Sequence, residues 1–177
     1  DIKPEDVAQV RIKTNSHTFT KMGNPETRRF AKTKFTADHS SYYTTAIAIV
    51  DRTMGPEQFS DEKMHDPRVQ ELLGKIFVEP DPALDPYASA GTVAITTKKG
   101  EEYYLEVFEP KGHPMNPMTD SDVEHKFRSL AGNLMGEKEM DAIVATIFGL
   151  DKLDDVADLM KLLVLSSPAA PASASVK

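Results

Sequence analysis

The residues best suited to chemistry lie in the stretch TADHSSYY, from Thr36 to Tyr43. It combines an ionisable imidazole at His39, a hydroxyl at Ser40 and a phenol at Tyr43, directly before an apolar run. Because the N–H groups at the start of a helix attract anions, this pattern predicts a carboxylate-binding site in which Tyr43 transfers a proton. The plainer interpretation is that Asp38 or Ser40 caps the helix while His39 and Tyr43 pack against it.

A cluster of cations precedes this stretch on a chain that is otherwise acidic. The whole sequence has a formal net charge of −7, yet residues 15 to 38 carry five Lys and Arg side chains against two carboxylates. Such cations hold carboxylates through charge-assisted hydrogen bonds. We therefore assign Lys34, with His39 and Ser40, to substrate binding and Tyr43 to catalysis. The alternative is a solvated loop whose charges contact only water.

The common catalytic motifs are missing from the sequence. It contains no phosphate-binding loop, dinucleotide fingerprint, zinc-protease helix or esterase elbow. Its five histidines show no ligand spacing, and it has no cysteine to bind zinc or an iron–sulfur cluster. The sequence therefore predicts none of the functions that these common motifs carry.

The composition narrows the class of protein further. Because its net negative charge repels nucleic acid and anionic lipid, we expect neither nucleic acid nor a membrane among the partners. The longest apolar runs, such as Ala46 to Val50, fall far below the roughly 20 residues that cross a bilayer. The lack of cysteine also fits a cytoplasmic protein. Since the chain starts at Asp1, we expect a fragment or a processed chain.

The elements that must position these residues follow from the hydrophobic pattern. Residues 10 to 14 alternate apolar and polar side chains and predict a first strand. The run from His39 to Arg52 is longer than a typical strand and predicts a buried helix. A shorter helix is expected behind Asp66 as its N-cap and Pro67 as its first residue.

The second half of the chain is predicted to begin with strands and to end with helices. A brief strand is expected at Phe77 to Glu79, and residues 91 to 109 predict a β-hairpin with its turn at Lys99 and Gly100. Three amphipathic helices should follow. The first should begin at the N-cap Thr119 and run past Leu134 to a stop at Gly136. The other two should lie between Glu137 and Leu165, and residues 166–177 should form a disordered tail.

This order of elements predicts an α+β fold. A small antiparallel or mixed sheet with helices on one face suits strands that are apolar on one side only. The last two helices belong either to this layer or to a neighbouring all-helical domain.

Two stretches, TADHSSYYTTAIAIVDR and EQFSDEKMHDPRVQELLGKIFVEPDPALD, resemble the MmgE/PrpD family. The Lys-Gly hairpin, the GHPMNPMTDSDVEHKF stretch and the closing helices then follow in the family's order. The resemblance is to the C-terminal part of the family and covers nearly the whole chain. The family includes 2-methylcitrate dehydratase, cis-aconitate decarboxylase and iminodisuccinate epimerase.

The resemblance implies a division of the chain between two domains of a larger protein. Family members pair a large all-helical domain with a smaller α+β lid domain, and the active site lies between them. Residues 1–118 would form most of the lid, and 119–165 the C-terminal helices, the later ones returning to the helical domain. The tyrosine of the family's motif falls on Tyr43. Tyr42 stands where members often have proline, which makes it the alternative phenol, and Arg52 where they often have glycine.

The resemblance also implies a function. We expect part of a cofactor-free lyase for small di- or tricarboxylates, with 2-methylcitrate dehydratase slightly ahead of cis-aconitate decarboxylase and an epimerase as the nearest rival. The implied partners are the substrate, the remainder of the enzyme and a second copy in a homodimer, so the chain alone should be inactive. From other classes, a non-catalytic regulatory module that binds a small acid and a purely structural interaction domain stay open.

Overall fold

A computed structural model describes residues 2 to 165 of the chain. The chain divides between Pro117 and Met118 into two compact parts, here called unit 1 and unit 2. The tail predicted for residues 166–177 lies outside the described residues. Among residues 2 to 165, no helix is both long and apolar enough to cross a lipid bilayer.

Unit 1 is built on a four-stranded mixed sheet. Its strands are β1 (Val7–Thr14), β2 (Ile76–Pro80), β3 (Gly91–Thr97) and β4 (Glu102–Val107), in the spatial order β2-β1-β3-β4. β1 and β2 are parallel, whereas β1 with β3 and β3 with β4 are antiparallel. The expected α+β fold, the first strand and the hairpin are confirmed. The hairpin turn depends on Gly100, whose φ of 83° is one that glycine adopts without strain.

The register of the sheet places its apolar side chains on one face. Val10 of β1 is opposite Ile76 of β2 and Ile95 of β3. From Val10 onward, side chains at alternate positions share that face, because side chains point to opposite sides in turn. A register shift between Val7 and Gln9 brings Val7 into the core as well. The helices Ser41–Asp51 and Pro67–Leu73 supply the other half of the core.

The helices of unit 1 are mostly short and depend on polar caps. They are α1 (Ser16–Thr18), α2 (Pro25–Arg28), α3 (Lys34–Asp38), α4 (Ser41–Asp51), α5 (Asp61–Met64) and α6 (Pro67–Leu73), with a π-helical turn at Phe19–Gly23 and 3-10 turns at Pro4–Asp6, Pro56–Phe59 and Pro82–Leu84. The predicted helices at 39–52 and behind Asp66 and Pro67 are confirmed as α4 and α6. Arg52 ends α4 in the left-handed conformation, φ 58°, which favours glycine.

Unit 2 contains three helices and a 3-10 turn within the described residues. They are α7 (Asp120–Ala131), α8 (Glu137–Phe148), the turn Leu150–Lys152 and α9 (Val156–Leu162). Thr119 caps α7 as predicted, through a reciprocal pair of bonds with Asp122. The predicted end of α7 at Gly136 is wrong. The helix ends at Ala131, because Gly132 and Asn133 are poor helix formers, and Gly136 instead precedes α8 as its N-cap.

Candidate functional site

The entry of α4 is fixed by the buried side chain of Ser40. Its Oγ accepts a hydrogen bond from the N–H of Tyr43 at 3.1 Å and donates to the carbonyl of Arg28 at 2.5 Å. Ser40, rather than Asp38, is therefore the N-cap of α4. The Ser40 hydroxyl donates its single proton to the last residue of α2 and accepts from the first turn of α4. It therefore links the two helices.

Tyr43 lies inside unit 1, with 1% of its surface exposed. Its hydroxyl donates to the carbonyl of Gln58 at 2.5 Å, and its ring is 5.8 Å from that of Phe59. Burial, with a smaller effect from the carboxylates of Asp51 and Asp66, raises the pKa of Tyr43 to about 12. The phenol is therefore protonated at neutral pH and is a weaker acid than the phenol of an exposed tyrosine.

A polar network holds the segment that accepts the Tyr43 hydrogen bond. The amide of Gln58 donates to the carboxylate of Asp51 at 3.1 Å and accepts from the N–H of Gly55 at 2.9 Å. Lys63 pairs with the same carboxylate at 2.7 Å and is the main reason that the pKa of Asp51 is lowered. No periodic or motif signal in the sequence predicts this network, which joins the two ends of a loop through side chains.

Tyr42 is also buried, but it faces a different part of unit 1. Its hydroxyl donates to the carbonyl of Gly23 at 3.0 Å, and burial raises its pKa. The guanidinium of Arg29 lies 4.6 Å from the centre of the Tyr42 ring and 5.5 Å from that of Phe77, and it donates to the carbonyl of Leu73 at 2.9 Å. Arg29 therefore packs as a cation over aromatic faces, a role that charge counting along the sequence does not reveal.

Lys34 and His39 are exposed at opposite ends of α3. The Nδ1 atom of His39 contacts the Asp38 carboxylate and the carbonyl of Phe35, which raise the pKa of the imidazole in that order. The four predicted site residues thus follow one another along α3 and the start of α4. Two of them, Lys34 and His39, lie on the surface of unit 1, and two, Ser40 and Tyr43, lie inside it, so their joint action on one substrate stays a prediction.

Metal ligands do not converge in the part of the chain that the structure describes. No three His, Asp or Glu side chains among residues 2 to 165 lie close enough to hold a metal ion. At the start of α4, the hydroxyls of Ser40 and Tyr43 donate to backbone carbonyls, and the imidazole of His39 is paired with the carboxylate of Asp38.

Comparison with known proteins places this arrangement in a family. Residues 1–150 match the family model of the MmgE/PrpD C-terminal domain. Cis-aconitate decarboxylase from Aspergillus terreus is 32% identical over 126 residues, which is 68% of this chain and 26% of that protein. The human protein of the same name is 27% identical over 150 residues, 84% of this chain and 31% of that protein. The mouse protein is 25% identical over 138 residues, covering 77% and 28% respectively.

The relatives and the family model differ in how much of their own length and of this chain the match covers. The chain spans about a quarter to a third of the length of the curated relatives it resembles. The family model, by contrast, covers most of the chain itself. This chain is therefore a member of the MmgE/PrpD family, matching the family's C-terminal domain.

Proposed function

We propose that this chain is the C-terminal part of a lyase that acts on small di- or tricarboxylates, with decarboxylation of cis-aconitate as its leading reaction. The observation that carries the proposal is the match to cis-aconitate decarboxylases along 68% to 84% of the chain. This reverses the order expected from the resemblance alone, in which 2-methylcitrate dehydratase stood slightly ahead.

The proposed chemistry needs a proton donor and groups that bind carboxylates. In the decarboxylation, the bond from carbon to one carboxylate breaks, carbon dioxide leaves, and the electron pair that stays on carbon takes a proton. Tyr43 has a phenol that is protonated at neutral pH and can supply this proton, and contact with the reacting group would have to lower its raised pKa. To reach a substrate, its hydroxyl must exchange the Gln58 carbonyl for the reacting group. That exchange is part of the proposal.

The surface cations at the same end of α4 would hold the substrate. His39 is favoured in its protonated form by Asp38, and Lys34 is exposed one helix away. Two cations of this kind stabilise carboxylates and the negative charge that develops in the reaction. The support for these roles is the chemistry of the residues and their order along the chain.

The rest of the active site would come from the remainder of the protein. We propose that an all-helical domain supplies the other proton-transfer groups, that the complete enzyme works as a homodimer, and that it does so in the cytoplasm. These features follow the family resemblance, together with the share of the relatives' length that the chain covers.

The test is a substrate comparison with the complete protein that contains this chain. Carbon dioxide release from cis-aconitate supports the proposal, whereas loss of water from 2-methylcitrate with no decarboxylation moves the assignment to a dehydratase. Inversion of iminodisuccinate without either reaction identifies an epimerase. Tight binding of these acids with no turnover of any of them overturns the enzyme proposal and favours a regulatory module.

A further inference from the structure

The loop between α4 and α5, residues 52–60, supplies the carbonyl that accepts the hydrogen bond of the Tyr43 hydroxyl. The backbone hydrogen bonds described for residues 53–60 stay within the loop or lead into α5. The position of the loop on α4 therefore depends on side chains. Phe59 gives one such contact, because its ring packs beside that of Tyr43 and against the core.

A second contact of this loop is polar and involves both helices that flank it. Asp51 is the last residue of α4, and its Oδ2 atom accepts from the Gln58 amide at 3.1 Å and pairs with the Lys63 ammonium of α5 at 2.7 Å. The side chains of Asp51 and Lys63 are 11% and 32% exposed, so solvent screens the pair only in part. An ion pair thus holds the side chain of Gln58, whose own backbone carbonyl accepts the Tyr43 hydrogen bond.

We propose that Asp51 and Lys63 are positioning residues for Tyr43, because their ion pair holds the loop carbonyl on the phenol and thereby sets how often the hydroxyl is free to meet a substrate. This role rests on the proposed function of Tyr43 as a proton donor. A group that must leave one partner to reach another can act only in the fraction of molecules in which the first bond is broken. The ion pair lowers that fraction, and its loss raises it. Neither positioning residue needs to touch the substrate.

The charge of the Lys63 ammonium, acting without any effect on the loop, would change Tyr43 in the opposite direction. Besides burial, the main cause, the carboxylates of Asp51 and Asp66 raise the pKa of the phenol. Lys63 pairs with the first of these carboxylates and Arg68 with the second. Removal of either cation leaves a carboxylate uncompensated and raises the pKa of the phenol further. A loosened loop instead lowers this pKa, because the phenol loses burial and its bond to the carbonyl, both of which disfavour the phenolate.

Lys63→Met in the complete protein tests the proposal, with Arg68→Met as its matched control. Titration of tyrosinate in each variant, minus that of the same variant carrying Tyr43→Phe, isolates the Tyr43 step. We expect Lys63→Met to move this step to lower pH by roughly 0.3 to 1 pH unit, as for the loss of one hydrogen bond. Arg68→Met should not lower it, and Lys63→Arg, which keeps the ion pair, should leave it in place. A Tyr43 step at the same or a higher pH in Lys63→Met overturns the proposal.

The kinetics of the complete enzyme give the second readout, on whichever substrate it turns over. Because the phenol is free more often, we expect Lys63→Met to raise kcat/KM by about two- to tenfold. Damage to the fold would lower kcat/KM instead, and Lys63→Arg should keep the original value. An unchanged or lowered kcat/KM in Lys63→Met overturns the positioning role even if the titration moves as expected. Normal kcat in Tyr43→Phe is a separate result, which shows that the proposed function of Tyr43 itself has failed.

Discussion

Two neighbouring tyrosines at the start of α4, Tyr42 and Tyr43, contact different parts of unit 1. Tyr42 points to Gly23 and carries a guanidinium over its ring, whereas Tyr43 points to Gln58 and lies beside a carboxylate network. Both hydroxyls donate to a backbone carbonyl. The difference between a packing residue and a proton donor therefore has to be sought in kinetics and not only in burial.

Removal of each hydroxyl separates these roles. In the complete enzyme, we expect Tyr43→Phe to lower kcat by about 10²- to 10⁴-fold, the usual effect of losing a general acid. We expect Tyr42→Phe to keep kcat and to lose roughly 0.5 to 1.5 kcal/mol of stability with its hydrogen bond to Gly23. Steady-state kinetics and thermal unfolding measure the two quantities on the same samples.

The opposite result has a clear meaning. A normal kcat in Tyr43→Phe with a lower melting temperature would make Tyr43 a packing residue held by Gln58. A large loss of kcat in Tyr42→Phe alone would move the proton donor to the neighbouring ring. Normal kcat in both variants removes the start of α4 from the chemistry.

The raised pKa of Tyr43 should affect both the stability and the tyrosinate titration of the protein at high pH. Because its folded pKa of about 12 lies above the ordinary value of about 10, the folded protein binds the proton more tightly than the unfolded chain. This contribution to stability is complete below pH 10 and is lost as the pH rises towards 12. In a spectrophotometric titration of tyrosinate, we expect a late step that Tyr43→Phe removes. An unchanged titration curve in that variant would contradict the assignment.

At the scale of elements, the hydrophobic pattern predicts those strands and helices that form by burying one apolar face. Strands β1 and β3 and helices α4 and α6 follow from periodicity and caps, because their apolar residues face the core of unit 1. The same signals predict β4 and α7, although most of their apolar side chains are exposed. In the segment from Ser16 to Asp38, the apolar residues have no regular spacing from which its helices could be predicted. Its short helices are held by Asn15, Asn24 and Thr33 at their starts and by contacts with distant residues such as Asp85.

The same limit applies to the candidate site. The N-cap role of Ser40 and the burial of Tyr43 agree with the plainer interpretation of TADHSSYY, which a sequence can offer only as one alternative. Packing of Arg29 between aromatic rings and the carbonyl of Leu73 depends on residues 13 to 48 positions away. No local pattern carries that information.

Two asparagine caps test how far a short helix depends on distant contacts. Asn15 is buried, accepts from the N–H of Thr18 and donates to the carbonyls of Tyr87 and Ala88. The side chain of Asn24 has a single described hydrogen bond, the local cap bond that it accepts from the N–H of Glu26. We expect Asn15→Ala to cost about 2 kcal/mol or more and Asn24→Ala about 1 kcal/mol or less in denaturant unfolding. Equal losses would show that the bonds to the Tyr87 loop contribute nothing.

At the scale of the whole molecule, the chain spans about a quarter to a third of the length of its relatives, and we propose that most of the proton-transfer groups lie in the remainder of the protein. Such groups act as a unit, so loss of most of them removes nearly all of the rate. We expect the purified 177-residue chain to show no lyase activity. Release of carbon dioxide from cis-aconitate by this chain alone, abolished by Tyr43→Phe, would contradict the expectation and place the whole site within it.

The helices of unit 2 carry more apolar surface than their own packing covers. Only Met140 and Ile143 of α8 are buried, while Ile147 and Phe148 are about half exposed, at 48% and 52%. Contiguous exposed apolar side chains are typical of surfaces that pack on another part of a protein. We expect these residues to pack on the all-helical part of the complete protein.

A charge placed in this stripe measures the burial directly. In the complete protein we expect Ile147→Glu to lower the free energy of unfolding by about 2 kcal/mol or more, because a carboxylate would be forced out of water. Ala145→Glu is the matched control, since Ala145 is exposed and lies on the opposite side of the same helix. It should change stability by about 0.5 kcal/mol or less. Denaturant unfolding followed by circular dichroism compares the two variants, and equal stability would show that α8 keeps its apolar face in water.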